Sequence, residues 1–265
     1  KEPENLTIPT TIDLAQQHEI EQSIRDFLDR WYSQGLHNAS AVLLHAPTGE
    51  IRASVGSAEF HDVAISGQVD GTIAPRSPGS TLKPFIYALA LDAGLIHPQT
   101  LLDDAPKRFA GYNPENSDRQ FLGPIAASEA LRRSRNVPAI KLANRLPDGG
   151  LETFLRTSGV DLPERSHGLA LAIGATEMRL EDLAKLYAEL AYPQQGKLSP
   201  QACWLTLKAL QCDDPGAPIG LSCKTGTSNG FRDAWACGVM GDWVLCVWVG
   251  HFDGHGMPGL LALET

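Results

Sequence analysis

The strand-like segments of this chain stand at its two ends and the helix-like segments fill its middle, and that segregation limits the fold more than anything else in the sequence. Near the front, Ala41 to His45 and Glu50 to Val55 flank a Pro47-Thr48-Gly49 turn and read as a β-hairpin. Near the back, Gly220 to Thr225, Asp233 to Met240 and Trp243 to Gly250 read as a meander, with Gly241-Asp242 as a two-residue turn. Between them come helical patterns punctuated by Pro and Gly: Ser80 to Ala93, Ala126 to Arg133, Pro138 to Arg145, Leu151 to Thr157, Leu180 to Ala191 and Pro200 to Leu210. Strands alternating with helices would predict a parallel sheet. This order predicts an α/β arrangement of the α+β type, a five-stranded antiparallel sheet flanked by helices, with a helical insertion over about 84–210.

Ahead of the hairpin, Ile20, Ile24, Phe27, Leu28 and Trp31 recur at helical spacing, which predicts an amphipathic helix over Asp13 to Gln34, stopped by Gly35. Residues 1–35 are therefore expected to be a linker and helix leading into a domain over 36–265, with the Gly- and Ser-rich stretch before Pro78 as loop. In the last hairpin, Met240 facing Trp243 would set Cys237 opposite Cys246, at a pair type where Cα atoms approach to about 4.5 Å. That permits a disulfide, and two buried free thiols fit equally well.

Composition narrows the function. A length of 265 residues suits one large domain or two small ones, and 43% hydrophobic with 20% charged residues is globular rather than disordered. The net charge of -9 argues against nucleic acid as a partner. Arg132, Arg133 and Arg135 form the one tight basic cluster, and it reads as a solvated helix end. No apolar run reaches membrane-spanning length and no leader opens the chain at Lys1, so membrane association is expected only through segments upstream of this sequence. Five cysteines without CxxC spacing, and His251 and His255 in a Gly-rich stretch, give no expectation of a metal or cofactor. Glu177, beside Gly174, Ala175 and Thr176, reads as a helix-start residue.

Three short motifs stand in order: Ser80-Thr81-Leu82-Lys83, Ser134-Arg135-Asn136 and Lys224-Thr225-Gly226-Thr227. A serine hydroxyl needs a base to become a nucleophile. Positions three apart share a helix face, so Lys83 lies beside Ser80, and the Pro78-Gly79 entry would leave Ser80 at the positive end of a helix dipole. Lys83 serves as a base only if burial or a neighbouring cation such as Lys224 lowers its pKa, and Ser134 is then a plausible proton relay. Pro84 should disturb the helix locally. The strand ending in Lys224-Thr225 reads as a wall for a substrate lying as an added strand, with Gly226 allowing close backbone approach.

With Ser77 to Phe85, Ala130 to Ala139, and Lys224 to Ser228 followed by Phe231 to Trp235, the motifs resemble the SxxK, SxN and KTG signature of penicillin-binding proteins and β-lactamases. The chain is most similar to the transpeptidase domain of the bifunctional class A group. The resemblance implies a β-lactamase/transpeptidase-like fold and a peptidoglycan D,D-transpeptidase with Ser80, Lys83, Ser134 and Lys224 as catalytic residues. It further implies that Thr225 and Thr227 hold the substrate carboxylate, that Asn136 binds the peptide amide, and that the Ser80 and Thr227 N–H groups form an oxyanion hole.

Peptidoglycan stem peptides and β-lactams would be the ligands, wall-synthesis proteins the partners, and the periplasmic or extracytoplasmic face of the bacterial inner membrane the location. A D,D-carboxypeptidase, a β-lactamase or an acylated sensor remains open. The ExxLN glutamate of class A β-lactamases is not visible, since Glu164 is followed by Arg165-Ser166-His167-Gly168. Arg135, where β-lactamases often carry Asp, is expected to add positive charge beside the cleft.

Overall fold

Asp13 opens the first helix, α1 (Leu14–Trp31), by accepting the N–H groups of Ala15 and Gln16 at 3.0 and 3.1 Å. A short 3₁₀ turn, Tyr32–Gln34, follows, and Gly35 at φ 86° ends it. The computed structural model describes residues 8–107, 114–147, 149–162, 168–193, 197–228 and 230–257. The first seven residues, the Glu164 to His167 segment and the end at Thr265, on all of which expectations were placed, lie outside that set.

The expected hairpin is β1 (Ala39–His45) and β2 (Glu50–Val55). The helical middle brings α2 (Lys83–Asp92), β3 (Leu101–Asp104), β4 (Gly123–Ala126), α3 (Ala127–Arg132), α4 (Asn136–Ala143), α5 (Gly150–Thr157), α6 (Leu180–Ala191) and α7 (Pro200–Ala209). The chain then returns to strands as β5 (Ser222–Thr227), β6 (Asp233–Met240) and β7 (Trp243–Gly250).

The main sheet is five-stranded and antiparallel, in the order β2-β1-β7-β6-β5. The two ends of the chain meet at β1 and β7, in a register running from Ala39 opposite Val249 to His45 opposite Trp243. Met240 stands opposite Trp243 and Cys237 opposite Cys246, as the two-residue turn requires. Both cysteines are buried free thiols.

Period-two alternation sends each row of the sheet to one of two cores. Ala41, Val247, Ala236 and Thr225 share one face, against which α1 packs Ile24 and Leu28. Val42, Cys246, Cys237 and Lys224 share the other, covered by α6. Behind α6 lies α2, apolar on nearly every side, with Phe85 stacked on Phe154 at 5.6 Å and edge-on to Tyr187 at 5.4 Å. The layers are α1, then the sheet, then the helical insertion.

Three local expectations need correction. The insertion is not purely helical, because β3 and β4 form a small antiparallel sheet of their own. A 3₁₀ segment at Gly168–Ile173 also precedes α6, whose start is Arg179 with no side-chain cap, so Glu177 does not open it. Finally, β5 runs two residues further along than expected, because Pro218 to Leu221 closes a turn in which Leu221 N–H donates to the Pro218 carbonyl at 3.1 Å.

Candidate active site

Ser80 does not sit in the α-helix but in the 3₁₀ turn Gly79–Leu82 that leads into it. Pro84 explains the difference. Proline has no N–H to give the Ser80 carbonyl, so Lys83 N–H donates there instead, and the turn tightens to i→i+3 spacing. Side chains at i and i+3 eclipse in such a turn, which keeps Ser80 and Lys83 on one side.

Lys83 is fully buried, and its ammonium donates to the Ser134 carbonyl at 2.5 Å, Ser134 Oγ at 3.2 Å and Asn136 Oδ1 at 2.6 Å. Ser80 Oγ is not among these partners, and it makes no hydrogen bond within the described residues. No carboxylate pairs with Lys83 there either. Burial first, then the charges of Lys224 and Arg135, push the Lys83 pKa well below the usual lysine value. Lys224, 4% exposed, lies on the same face of the sheet and donates to the Thr225 carbonyl at 2.7 Å.

The middle motif takes its shape from the end of α3. Ser134 N–H bonds the Leu131 carbonyl and Arg135 N–H bonds the Ala130 carbonyl, both at 2.9 Å, with Ser134 at φ 55°. This is a Schellman cap with serine in the left-handed position that usually belongs to glycine. Arg135 then precedes α4, whose first N–H groups, from Asn136 and Val137, reach Asn116 Oδ1 at 2.8 and 3.4 Å. Asn136 Nδ2 donates to the Glu115 carbonyl at 2.7 Å.

Glycines fix how closely the Ser80 turn meets β5. A Cβ on Gly226 would fall 2.5 Å from the Pro78 carbonyl oxygen and 2.9 Å from Thr81 N, and one on Gly79 would fall 2.7 Å from the Thr227 carbonyl oxygen. A Cβ on Gly174 would lie 2.5 Å from Gly79 Cα. Gly226 thus admits the nucleophile's own turn, where a ligand backbone had been expected. Tyr187 secures the same turn by donating from its hydroxyl to the Thr81 carbonyl at 2.9 Å. Thr225 and Thr227 point from the face of the sheet opposite Lys224, and β5 that carries them is an edge strand of the sheet. Beyond them Asp233 closes the β5–β6 turn, accepting from Ser228 Oγ at 2.8 Å and Trp248 Nε1 at 3.0 Å.

The basic cluster divides. Arg132 and Arg133 are half-exposed and pair with Asp213 and Glu129, a solvated helix end as expected. Arg135 is not a solvated residue: it is 5% exposed and bonds Asp104 Oδ2 at 2.8 Å and Asp118 Oδ2 at 2.7 Å, and its charge is felt at Lys83 from this buried, paired position. Sequence reasoning gave no site role to Asp104, Asn116, Gly174 or Tyr187, none of which lies inside a motif, and read Gly79 only as a helix entry and not as a contact with β5. His251 contacts the Gly35 carbonyl while His255 pairs with Asp253, so the two histidines engage separate partners.

Comparison with known proteins supports this geometry. A family profile described as penicillin binding protein transpeptidase domain matches residues 39–234. The chain is 35% identical to penicillin-binding protein 1C of Escherichia coli (strain K12), over 95% of this chain and 36% of that protein. It is 29% identical to penicillin-binding protein 1A of Neisseria lactamica, over 86% of this chain and 34% of that one. The chain thus spans about a third of the length of these relatives. In fold it superposes on the penicillin-binding protein PonA1 from Mycobacterium tuberculosis with a TM-score of 0.81 at 20% identity, covering 95% of this chain and 77% of that one. With the three motifs, the five-stranded sheet and the profile in agreement, the chain belongs to the penicillin-binding protein transpeptidase domain family.

Proposed function

We propose that this chain is the acyl-transfer domain of a peptidoglycan D,D-transpeptidase, with Ser80 as nucleophile. The observation that carries the reading is Lys83: a buried amine without a carboxylate partner in the described residues, bonded to Ser134 and Asn136, three residues from a serine whose turn abuts the KTGT strand. Such an amine gives up its proton more readily than a surface lysine, which is what a general base requires.

In the acylation step Ser80 Oγ bonds to the carbonyl carbon of the D-Ala-D-Ala peptide as its proton passes to Lys83 Nζ. The oxyanion that develops would be met by the N–H groups of Ser80 and Thr227. Collapse breaks the C–N bond, and the proton travels through Ser134 Oγ to the departing D-Ala amine. The ester is then attacked by the amine of a second stem peptide, which releases Ser80 and returns a proton to it. Asn136 holds the peptide amide, and Thr225 and Thr227, with Lys224 nearby, hold the terminal carboxylate. A β-lactam would acylate Ser80 in the same way.

This chemistry places the domain on the extracytoplasmic face of the bacterial inner membrane, where wall-synthesis proteins would be its partners. Among the described residues no helix is long and apolar enough to cross a membrane. The structure of PonA1 in complex with penicillin V, 21% identical and with a TM-score of 0.79, supports a β-lactam as the probe. The test is a fluorescent penicillin on the purified protein. A persistent covalent adduct, absent in Ser80→Ala, is expected. Rapid turnover of the label would move the reading to a β-lactamase, and no adduct on the wild type would remove it.

A further inference from the structure

We propose that the buried Arg135–Asp104 ion pair is the positioning unit of the middle motif, holding Ser134 and Asn136 at the Lys83 amine while touching no substrate itself. The inference rests on the acyl-transfer reading above. The SxN pattern leaves the position between Ser134 and Asn136 open, and Asp104 lies outside it.

Arg135 is the residue immediately after Ser134, and Ser134 adopts a left-handed backbone that disfavours any side chain larger than glycine's. Such a conformation persists only where its neighbours hold it. Here the hold comes from the next side chain. The Arg135 guanidinium reaches Asp104 through Nε, Asp118 through Nη1 and the Gln120 carbonyl through Nη2. Asp104 is fully buried at the end of β3, so the anchor is part of the fold and not a mobile surface group. Burial opposes the Arg135 charge, but the bonds to Asp118 and Asp104 outweigh it and raise its pKa. A fork of this geometry is specific to arginine.

The second half of the unit runs through Asn116, which is buried between the ion pair and α4. Its Nδ2 donates to Asp104 Oδ1 and to the Gln120 carbonyl, each at 2.8 Å, and its Oδ1 accepts the Asn136 N–H at 2.8 Å. Asp104 therefore grips both sides of the motif, Ser134 through Arg135 and Asn136 through Asn116. What lies between those grips are the groups that bond Lys83: the Ser134 carbonyl, Ser134 Oγ and Asn136 Oδ1. Losing the anchor frees Ser134 to leave the left-handed region and carries its hydroxyl away from the amine.

The test separates binding from acylation with the same fluorescent penicillin, resolving its non-covalent dissociation constant from the acylation rate constant. In Arg135→Met the rate constant is expected to fall by between about tenfold and a hundredfold, the scale of a one-ångström misplacement, while the dissociation constant stays close to that of the wild type. Arg135→Lys keeps the charge but lacks the fork, and is expected to remain slow. Arg135→Met leaves the buried Asp104 carboxylate without its cation, which works against folding. The double variant Arg135→Met with Asp104→Asn leaves no unpaired charge at that position, and is expected to melt cooperatively yet acylate as slowly as Arg135→Met. Folded variants that acylate at the wild-type rate, or a rate fully restored by lysine, overturn the proposal. A wild type that takes no label overturns instead the reading beneath it.

Discussion

A lysine amine cut off from water, with a second lysine beside it, gives up its proton far more readily than one at the surface. Lys83 meets both conditions, and the direction of its shift has consequences for stability as well as for chemistry. In the unfolded chain the lysine stays protonated up to about pH 10.4. In the folded protein it is neutral above its lowered value, so between the two the unfolded state binds the extra proton and stability rises with pH. Lys83→Met removes that term. The stability of the wild type relative to the variant should therefore climb with pH across this window, by about 1.4 kcal/mol per unit, when denaturant midpoints are compared at several pH values. The variant also leaves the Ser134 carbonyl and Asn136 Oδ1 without a donor, a pH-independent cost, so the slope and not the offset is diagnostic. A flat difference would mean that Lys83 stays charged when folded. The motifs that carry Ser80, Lys83, Ser134, Asn136 and Lys224 were legible because each is a local spacing. The direction of Arg135 was not, because it depends on Asp104, which another element supplies.

Between elements, the decisive contacts are made by absent side chains. Gly226 and Gly79 let the Ser80 turn lie against β5 backbone to backbone, and backbone atoms do not give way as a flexible side chain would. Gly226→Ala should therefore cost about 1–3 kcal/mol in thermal or chemical melts and slow acylation by about tenfold or more, since relief of the clash displaces Ser80 from Thr227. Gly220→Ala is the control. Gly220 has φ 88° but nothing within 4 Å of an added Cβ, so alanine there should strain the backbone while leaving acylation near the wild-type rate. Equal losses at both sites would show that β5 stability, not contact with the Ser80 turn, governs the rate. At this scale the sequence was readable where patterns were long, as in α6, and silent where they were short. β3 and β4 have four residues each, and β4 contains Gly123-Pro124, which reads as a breaker. Pro84 was legible as a disturbance, though not as the cause of a 3₁₀ turn.

For the molecule as a whole, the segregation of strands to the chain ends was enough to suggest a five-stranded antiparallel sheet. The pairing of β1 with β7 closes it by joining the first strand to the last. The face of the sheet away from the helical insertion then needs a cover, and α1 supplies it. Ile24 and Leu28 are buried with Leu36, Ala39, Ala41, Val55, Val249 and Met257, so one small core draws on both ends of the described chain. A helix that merely led into the domain would be dispensable, whereas a helix that completes a core fed by both ends should melt with it. Leu28→Ala removes buried apolar volume at the centre of that core and is expected to cost about 2–5 kcal/mol. For a chain of this size that lowers the melting temperature by roughly 2–4 °C per kcal/mol. Because the sheet shares the core, the loss should appear as a shift of one transition, seen alike by far-ultraviolet dichroism and by the loss of Ser80 labelling. A separate early transition in the dichroism, with labelling undiminished above it, would instead show that α1 unfolds alone and that the sheet carrying the active site stands without it.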